Sequence, residues 1–176
     1  MTKRFSLTVV LGFSLLFLSA CTGTPDRIEP VRNFELNRYL GEWYEIARLD
    51  HPFERGLSKI TANYSLRDDG GVKVINRGYN TEEGQWDTAE GKAYFVGEDD
   101  VGHLKVSFFG PFYASYVVME LDKDNYRYSM VTGPDRDYLW ILSRTPTLDE
   151  ATLQRLVGIA RDAGYPVDEL IYVNQQ

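Results

Sequence analysis

Short runs in which apolar and polar residues alternate follow one another through most of the chain, with turn residues between them. Residues 60–66 (ITANYSL) alternate cleanly, and the sequence DDGG at 68–71 after them is typical of a hairpin turn. Period-two alternation indicates strands with one buried face, and short connections favour an antiparallel sandwich or barrel. The predicted strands cover residues 43–49, 60–66, 72–79, 86–95, 102–109, 114–121, 126–132 and 138–144.

Two segments have helical spacing instead. In residues 34–40 (FELNRYL) the apolar side chains lie on one side and Gly41 follows as a terminator, which predicts a short helical turn. The sequence TLDE at 147–150 has the form of a capping box, so we expect Thr147 to cap a longer helix that ends at Gly164. The predicted buried face of that helix is Leu148, Thr152, Leu156, Ile159 and Ala163. A last short strand is predicted over residues 170–173.

The eighth run decides how the sheet closes. The sequence YLWIL at 138–142 is apolar on both faces, so both faces must be covered. A barrel lumen can cover one face and the helix that follows can cover the other. We therefore predict an all-β fold, a closed eight-stranded antiparallel up-and-down barrel. Its C-terminal α-helix packs on the outside, and the short N-terminal helical turn closes one end.

Counting the hairpins assigns the connections to two ends of this barrel. Strand eight returns Arg144 to the end at which strand one begins, and strands one and eight are neighbours in a closed ring. We therefore expect the guanidinium of Arg144 to stack on the indole of Trp43 and to plug that end. The opposite end, the mouth, is predicted to consist of the loops at residues 50–59, 80–85, 110–111 and 133–137.

The first residues carry a separate signal. Lys3 and Arg4 precede an apolar run that is too short for a comfortable membrane span, which is typical of a signal peptide. The sequence LSAC at 18–21 resembles the bacterial lipobox, in which the peptidase cuts before a cysteine that carries diacylglycerol. An ordinary export signal with a free thiol is the alternative. The predicted organisation is a lipoprotein signal peptide over 1–20, a lipidated cysteine and flexible tether over 21–32, and a barrel domain over 33–176.

The lipobox resemblance also implies a location. Thr22 follows Cys21 where lipoproteins kept in the inner membrane usually have Asp. The resemblance therefore implies a lipid anchor in the outer membrane of a Gram-negative bacterium, facing the periplasm, with outer-membrane lipid as a partner. Two or more acyl chains give durable anchoring.

Charge and composition exclude several classes of function. Without residues 1–20 the chain has 17 basic and 26 acidic residues, a formal net charge of −9, which argues against nucleic acid as a partner. Cys21 is the only cysteine, so no thiol nucleophile remains. His51 and His103 are predicted at opposite ends of the barrel as exposed polar residues, which gives no support to a metal site or a catalytic triad. We expect no enzyme, no cofactor and no metal.

Several motifs resemble those of a known family. The sequence GEWYEIAR at 41–48 resembles the Gly-x-Trp signature of lipocalins, with Gly41 and Trp43, and Arg144 after DYLWILS resembles their closing arginine. With the lipobox, the likeness over residues 33–176 is closest to the bacterial outer-membrane lipocalin lipoproteins. The family's Thr-Asp-Tyr-like segment is degenerate here, as KDNY at 123–126. The resemblance implies a carrier or store for fatty acids or lysophospholipids.

In each strand, the apolar residues of the alternating pattern are expected to face the lumen. Five of the twelve predicted inward residues are Ala or Gly, which leaves apolar space for one small ligand unless large neighbours fill it. The predicted inward residues are Ala47, Ile60, Ala62, Tyr64, Val72, Val74, Ala89, Gly91, Ala93, Leu104, Val106 and Phe108.

Aromatic residues gather at the predicted mouth, around the Gly-Pro break in residues 105–118 (KVSFFGPFYASYVV). We predict an apolar collar through which an acyl chain enters, with loop packing, a homodimer contact or contact with lipid as alternatives. The candidate ligand-binding residues are Ala47, Phe53, Ala62, Tyr79, Ala93, Val106, Phe108, Phe109, Phe112 and Tyr113. The candidate head-group contacts are Arg48, Arg55, Arg77 and Arg136, unless nearby acids hold them in surface ion pairs.

Three functions are therefore open. The first is a membrane-anchored lipid-binding protein that stores or transports fatty acids or lysophospholipids in the envelope, for membrane maintenance. The second is a carrier of another apolar small molecule, such as a tetrapyrrole or a retinoid. The third is an envelope scaffold with a filled barrel that works through its surface.

Overall fold

The computed structural model describes residues 22–176 and shows a closed antiparallel barrel. Its strands are β1 (Gly41–Arg48), β2 (Leu57–Leu66), β3 (Val72–Asn80), β4 (Gln85–Phe95), β5 (His103–Ser107), β6 (Ala114–Leu121), β7 (Tyr128–Thr132) and β8 (Leu139–Ser143). Consecutive strands pair from β1 to β8, and β8 pairs with β1, which closes the ring. The predicted eight-stranded up-and-down barrel is confirmed.

Helices and one further strand lie around this ring. They are α1 (Leu36–Tyr39), α2 (Glu150–Asp162), a 3-10 turn (Val167–Glu169) and β9 (Ile171–Tyr172). The short strand β9 pairs with the end of β1 outside the barrel. In the part of the chain that the structure describes, no helix is long and apolar enough to cross a membrane. The signal peptide predicted over residues 1–20 and the lipid attachment predicted at Cys21 lie outside the described residues.

Strand β8 has both faces covered, as its sequence requires. Leu139 and Ile141 pack in a core between the barrel wall and α2, whereas Trp140 and Leu142 pack with the residues inside the barrel. The helix therefore covers one face of β8 and the lumen covers the other. The prediction that a single helix packs on the outside of the barrel is confirmed.

The cap and the buried face of α2 differ from the prediction. Asp149 caps the helix, because its carboxylate accepts a hydrogen bond from the Thr152 amide at 2.9 Å, while Thr147 lies before the helix. Leu148, Leu156, Ile159 and Ala163 of the predicted face do pack on the core, but the face is wider than predicted, because Val157 and Ala160 are buried beside it. The buried residues of α2 are Leu156, Val157 and Ala160.

A β-bulge changes which side chains of β1 face inward. The register with β8 shifts between Glu45, which pairs with Leu142, and Ala47, which pairs with Ile141. The extra residue, Ile46, interrupts the alternation, so Ile46 and Ala47 both pack in the core beneath α2. The prediction that Ala47 lines the lumen is wrong for this reason.

The plugged end of the barrel is built around one cation–π contact. The guanidinium carbon of Arg144 lies 3.9 Å from the centroid of the Trp43 ring, as predicted. Its nitrogens also donate hydrogen bonds to the carbonyls of Arg38 at 2.7 Å, Glu42 at 2.9 Å and Tyr126 at 3.3 Å. These bonds fasten α1 and two strand ends across the opening, so this end is closed.

Residues 22–32, which we predicted to be a flexible tether, lie against the outside of the barrel. Ile28 is buried in the core beneath α2. The Val31 amide donates to the Val118 carbonyl at 2.9 Å, and the Val31 carbonyl accepts from the Gly102 amide at 2.9 Å. The buried Ile28 side chain and these backbone hydrogen bonds hold the segment on the wall.

Candidate ligand-binding cavity

A cavity of about 1170 Å³ occupies the barrel between the plugged end and the mouth loops. This volume exceeds the roughly 300–1,000 Å³ that is usual for small-molecule sites, so the barrel is not filled by its own side chains. Ala62 and Ala93, two of the small residues expected to leave space, border it. The apolar wall includes Ile60, Ala62, Val72, Val74, Ala93, Leu104 and Val106.

The floor of the cavity carries a network of buried hydroxyl groups. The Tyr116 hydroxyl lies 2.8 Å from that of Tyr39 and 2.9 Å from that of Tyr64, and Ser129 Oγ lies 3.1 Å from Tyr39. Burial raises the pKa of Tyr39 to about 12, and burial also raises the pKa of Tyr64 and Tyr116 well above their ordinary value. The floor is therefore neutral and internally hydrogen-bonded. Sequence analysis placed Tyr64 inward but missed the network, since its members come from distant elements.

The mouth carries three strongly exposed aromatic side chains. Phe53, Phe109 and Phe112 are 69%, 75% and 72% exposed and lie on the loops that border the cavity. Phe108 turns inward, and its ring lies over Gly91, where an added Cβ would come within 2.9 Å of it. The aromatic cluster of the sequence thus divides into one inward ring and several rings at the rim.

Most of the predicted ligand-binding residues border this cavity. Those that do so are Phe53, Ala62, Ala93, Val106, Phe108, Phe109, Phe112 and Tyr113. Their contact with a ligand stays a prediction. Ala47 is excluded by the bulge in β1, and Tyr79 faces away from the cavity.

Tyr79 lies on the outer face because β3 continues through Asn80. Its neighbours Gly78 and Asn80 border the cavity, so alternation turns Tyr79 outward. There its ring packs edge-on against Trp86 of β4, with a centroid distance of 5.5 Å. The prediction that Tyr79 binds the ligand is therefore wrong, because its ring lies on the outer face of the barrel.

A buried charged cluster lies on one side of the cavity, near the mouth. Arg48 Nη1 lies 3.1 Å from Glu45 Oε1, and Arg48 Nη2 donates to the Glu54 carbonyl at 2.9 Å. His51 Nε2 lies 3.1 Å from Glu54 Oε2, which also accepts a hydrogen bond from the Trp140 indole at 3.2 Å. Glu45, Glu54, His51 and Trp140 all border the cavity.

The two acids of this cluster have opposite pKa shifts. Burial raises the pKa of Glu45 well above its ordinary value, and the neighbouring Glu54 carboxylate raises it further. Burial alone would raise the pKa of Glu54 as well, but the contacts with His51 and the Trp140 indole lower it below its ordinary value. Glu45 is thus the group that keeps a proton, and Glu54 is the one that carries the negative charge opposite Arg48.

The sequence pattern alone does not reveal this cluster. His51, which we expected to be exposed, is only 3% exposed, and its ring lies 5.1 Å from that of Trp140 and 5.5 Å from that of Phe53. The loop after β1 folds back over these rings. One signal was available, because period-two alternation from Trp43 places Glu45 in the lumen.

Comparisons with known proteins agree with this fold. The model of the lipocalin-like domain family matches residues 34–175. The chain belongs to the lipocalin family. Among its relatives, "Outer membrane lipoprotein Blc" of Vibrio cholerae is 56% identical over 161 residues, covering 92% of this chain and 94% of that protein. The protein of the same name in Escherichia coli K12 is 55% identical over 174 residues, covering 98% of each chain.

A solved structure shows the same fold at greater distance. Insecticyanin from the tobacco hornworm superposes with a TM-score of 0.68 at 20% identity, covering 86% of each chain. At this identity the likeness concerns the fold alone. It supports the barrel architecture and leaves the contents of the cavity open.

In this lipocalin, only two of the four predicted head-group arginines border the cavity. Arg55 pairs with Asp50 at 2.8 Å, and Arg77 stacks on Trp86 with its guanidinium carbon 4.1 Å from the ring centroid. Arg48 belongs to the buried cluster. Arg136 was also predicted at the mouth, but it points to the outer wall.

Arg136 holds chain segments together instead of facing the mouth. Its Nε donates to the Ala163 carbonyl at 2.8 Å, and its Nη2 donates to the Asp26 carbonyl at 2.6 Å. These bonds join the loop between β7 and β8 to the end of α2 and to the N-terminal segment. Arg48 and Arg136 are therefore corrected to structural contacts, because the Nη atoms of Arg48 bond to Glu45 and Glu54 and the donors of Arg136 bond to backbone carbonyls.

The lipocalin wall also carries buried polar atoms without a protein partner. Among residues 22–176, Asn76 Oδ1, Ser107 Oγ and His51 Nδ1 have no hydrogen-bond partner, and all three residues border the cavity. Buried polar atoms nearly always have a hydrogen-bond partner, so such atoms beside a cavity indicate a place for a polar group of a ligand. Within the same residues no group of three or more His, Cys, Asp or Glu is arranged to hold a metal ion.

Proposed function

We propose that this lipocalin is a membrane-anchored lipid-binding protein that stores or transports fatty acids or lysophospholipids in the envelope of a Gram-negative bacterium, for membrane maintenance. The observation that carries the proposal is the apolar cavity of about 1170 Å³, closed at one end by Trp43 and Arg144 and bordered at the other by exposed aromatics. A long acyl chain matches this shape, because it needs depth and an apolar wall.

The location rests on two independent supports. The sequence LSAC at 18–21 has the lipobox form, and Thr22 follows the cysteine. Relatives that match 92% and 98% of this chain carry the name outer membrane lipoprotein. We infer that acylated Cys21 anchors the protein to the outer membrane on its periplasmic side.

The polar atoms of the cavity favour a single-chain lipid with a polar backbone over a bare hydrocarbon. Asn76 Oδ1 and Ser107 Oγ would accept or donate hydrogen bonds to the glycerol portion of a lysophospholipid, while the acyl chain reaches toward the tyrosine floor. The mouth carries both signs of charge, since Arg55, Arg77, Asp87 and Asp135 all border the cavity. A zwitterionic head group suits such a rim.

We propose binding without catalysis. The cavity border contains acids and one histidine, but Glu54 is held by His51 and Trp140, and Glu45 is paired with Arg48. These groups are engaged with one another, so their arrangement serves the wall of the cavity and offers no free nucleophile.

Solvent extraction tests the proposal. A soluble Cys21→Ala protein that lacks residues 1–20 is purified without detergent, extracted, and analysed by mass spectrometry. Near-stoichiometric fatty acid or lysophospholipid is the expected result. Recovery of a tetrapyrrole or retinoid would replace the proposed ligand class, and an extract free of apolar molecules from a protein that also binds no added lipid would contradict the proposal.

A further inference from the structure

The most exposed aromatic side chains of the described residues lie at one end of the molecule. Phe53, Phe109 and Phe112 expose 69%, 75% and 72% of their surface on two mouth loops. Clustered exposed apolar side chains mark interaction sites on soluble domains. Trp86, 44% exposed and stacked with Arg77, also lies toward the mouth, at the start of β4. This mixture of apolar tips and an aromatic–cation pair fits a membrane–water interface.

The path of the N-terminal segment shows where the anchor joins the barrel. The Gly23 carbonyl accepts a hydrogen bond from Ser115 Oγ at 2.6 Å, and the Thr22 backbone hydrogen-bonds the His103 imidazole. His103 and Ser115 belong to β5 and β6. The turn between these two strands is the one that carries Phe109 and Phe112.

Further contacts fix this path. Arg136, on a mouth loop, donates to the Asp26 carbonyl at 2.6 Å, and Ile28 is buried beneath α2. Ser115 is the second residue of β6, which begins at the mouth. The segment therefore meets the barrel in its mouth half, on the wall of the hairpin that carries the aromatic tips.

Covalent geometry then limits the position of the anchor. Consecutive Cα atoms are about 3.8 Å apart, so an acyl group on Cys21 is attached beside Thr22 and not at the end of a long free tether. An anchor at this place draws the mouth half of the barrel toward the bilayer and leaves the plugged end away from it.

We propose that the mouth of this lipocalin docks on the bilayer that holds its anchor, with Phe53, Phe109 and Phe112 inserted among the lipids and the cavity open toward the leaflet. The proposal rests on the proposed function only for the acylation of Cys21. Docking in this orientation would let a single-chain lipid pass between leaflet and cavity along the aromatic rim without crossing water.

Single-cysteine labelling tests the orientation in the full acylated protein. Cys21 is the only cysteine and its sulfur is consumed by acylation, so an introduced cysteine is the only free thiol. A fluorescent label is placed at Phe112→Cys and, as the matched control, at Leu66→Cys, a 57% exposed apolar residue at the end of β2, on the plugged side of the barrel. The proteins are reconstituted in vesicles of phosphatidylethanolamine and phosphatidylglycerol that contain lipids with nitroxide-bearing acyl chains.

The expected result is quenching at position 112 that is several-fold stronger than at position 66. Equal quenching at the two positions, or stronger quenching at 66, would overturn the proposal. Self-quenching between labels at 112 without quenching by lipid would also overturn it and would assign the aromatic tips to a contact between two copies of the chain.

A second variant separates docking from occupation of the cavity. The Ala62→Trp change fills the lumen, so quenching at 112 that persists in this background supports docking, and quenching that disappears shows that the label had sensed a ligand in the cavity. Extraction of lipid from the soluble protein is measured separately. Lipid recovered without docking refutes only this inference, whereas docking without recovered lipid refutes only the proposed function.

Discussion

The Arg48 guanidinium and the Glu45 carboxyl group are in contact inside the barrel wall, with 3.1 Å between Nη1 and Oε1 and about 3–4% of each side chain exposed. The pair lies beside the cavity, where Glu54 and His51 complete the cluster. Buried charges are costly to leave unpaired, so this cluster couples the stability of the mouth to the state of its ionisable groups.

Removing the cation of the cluster should destabilise the fold. Arg48→Ala leaves the buried Glu54 carboxylate without the guanidinium opposite it, and we expect a loss of about 3–5 kcal/mol in the free energy of unfolding. Urea unfolding followed by tryptophan fluorescence measures it. The matched control is Arg55→Ala, whose pair with Asp50 is exposed and should contribute within about 1 kcal/mol. Similar losses in the two variants would show that the cluster is not a buried ionic unit.

The two acids of the cluster should give opposite pH dependences. The pKa of Glu45 is raised in the folded protein, so its contribution to the free energy of unfolding is fully present at pH values below the unfolded-state pKa near 4.5. This contribution is lost as pH rises through the pKa of the folded state. The pKa of Glu54 is lowered, so its contribution is present above that unfolded value and is lost as pH falls through the folded one.

Glutamine variants test these signs. As pH rises above about 4.5, Glu45→Gln should become progressively more stable relative to the unmodified protein. Unfolding of the unmodified protein releases the Glu45 proton, which a rising pH favours, whereas the glutamine variant has no such proton to release. The free energy of unfolding of Glu54→Gln should fall furthest below that of the unmodified protein near neutral pH, and this difference should shrink under acid conditions. Unfolding free energies between acid and neutral pH provide the measurement, and parallel curves for the two variants would contradict the assignment.

At position 144 we expect the geometry of the side chain to matter more for stability than its charge. Arg144→Lys keeps the cation but loses the planar fork that reaches the carbonyls of Arg38 and Glu42. We expect a loss of about 1–3 kcal/mol for Lys and a similar loss for Ala, since most of the stabilisation comes from stacking and hydrogen bonds. Full retention of stability by the Lys variant in thermal or urea unfolding would mean that charge alone closes this end.

The unpaired polar atoms predict a change in ligand preference. Asn76→Leu removes a side-chain oxygen that borders the cavity without a protein partner. The ratio of lysophospholipid to fatty acid affinity should fall about two- to tenfold, the equivalent of one hydrogen bond. Competition between lysophosphatidylethanolamine and palmitic acid for a fluorescent probe measures the ratio, and an unchanged ratio would remove Asn76 from the proposed site.

Much of the fold could be predicted because it depends on local patterns. Alternation in each strand, the doubly apolar β8 and the count of hairpins are sufficient to close the ring and to bring Trp43 next to Arg144. The small residues Ala62 and Ala93 indicated open space in the lumen, since period two alone decides that they face inward.

The predictions that proved wrong concern residues whose positions depend on non-local contacts and not on the local alternation of apolar and polar residues. A bulge in β1 turns Ala47 to the helix side, and the continuation of β3 turns Tyr79 outward. The burial of His51 depends on Trp140 from a distant strand, which no local period reveals. The N-terminal segment was expected to be loose because its composition is polar, yet Ile28 fits a core formed by α2.

The central claim is that the lumen itself binds the lipid, and one matched pair of variants tests it most directly. Ala62 borders the cavity, whereas the next residue of β2, Asn63, is exposed on the outer face. Palmitic acid and lysophosphatidylethanolamine are titrated into the soluble Cys21→Ala protein and into its Ala62→Trp and Asn63→Trp derivatives. We predict that affinity falls at least about tenfold in Ala62→Trp, or roughly 1.4 kcal/mol, and is retained in Asn63→Trp. Equal affinities in the two folded variants would contradict the claim.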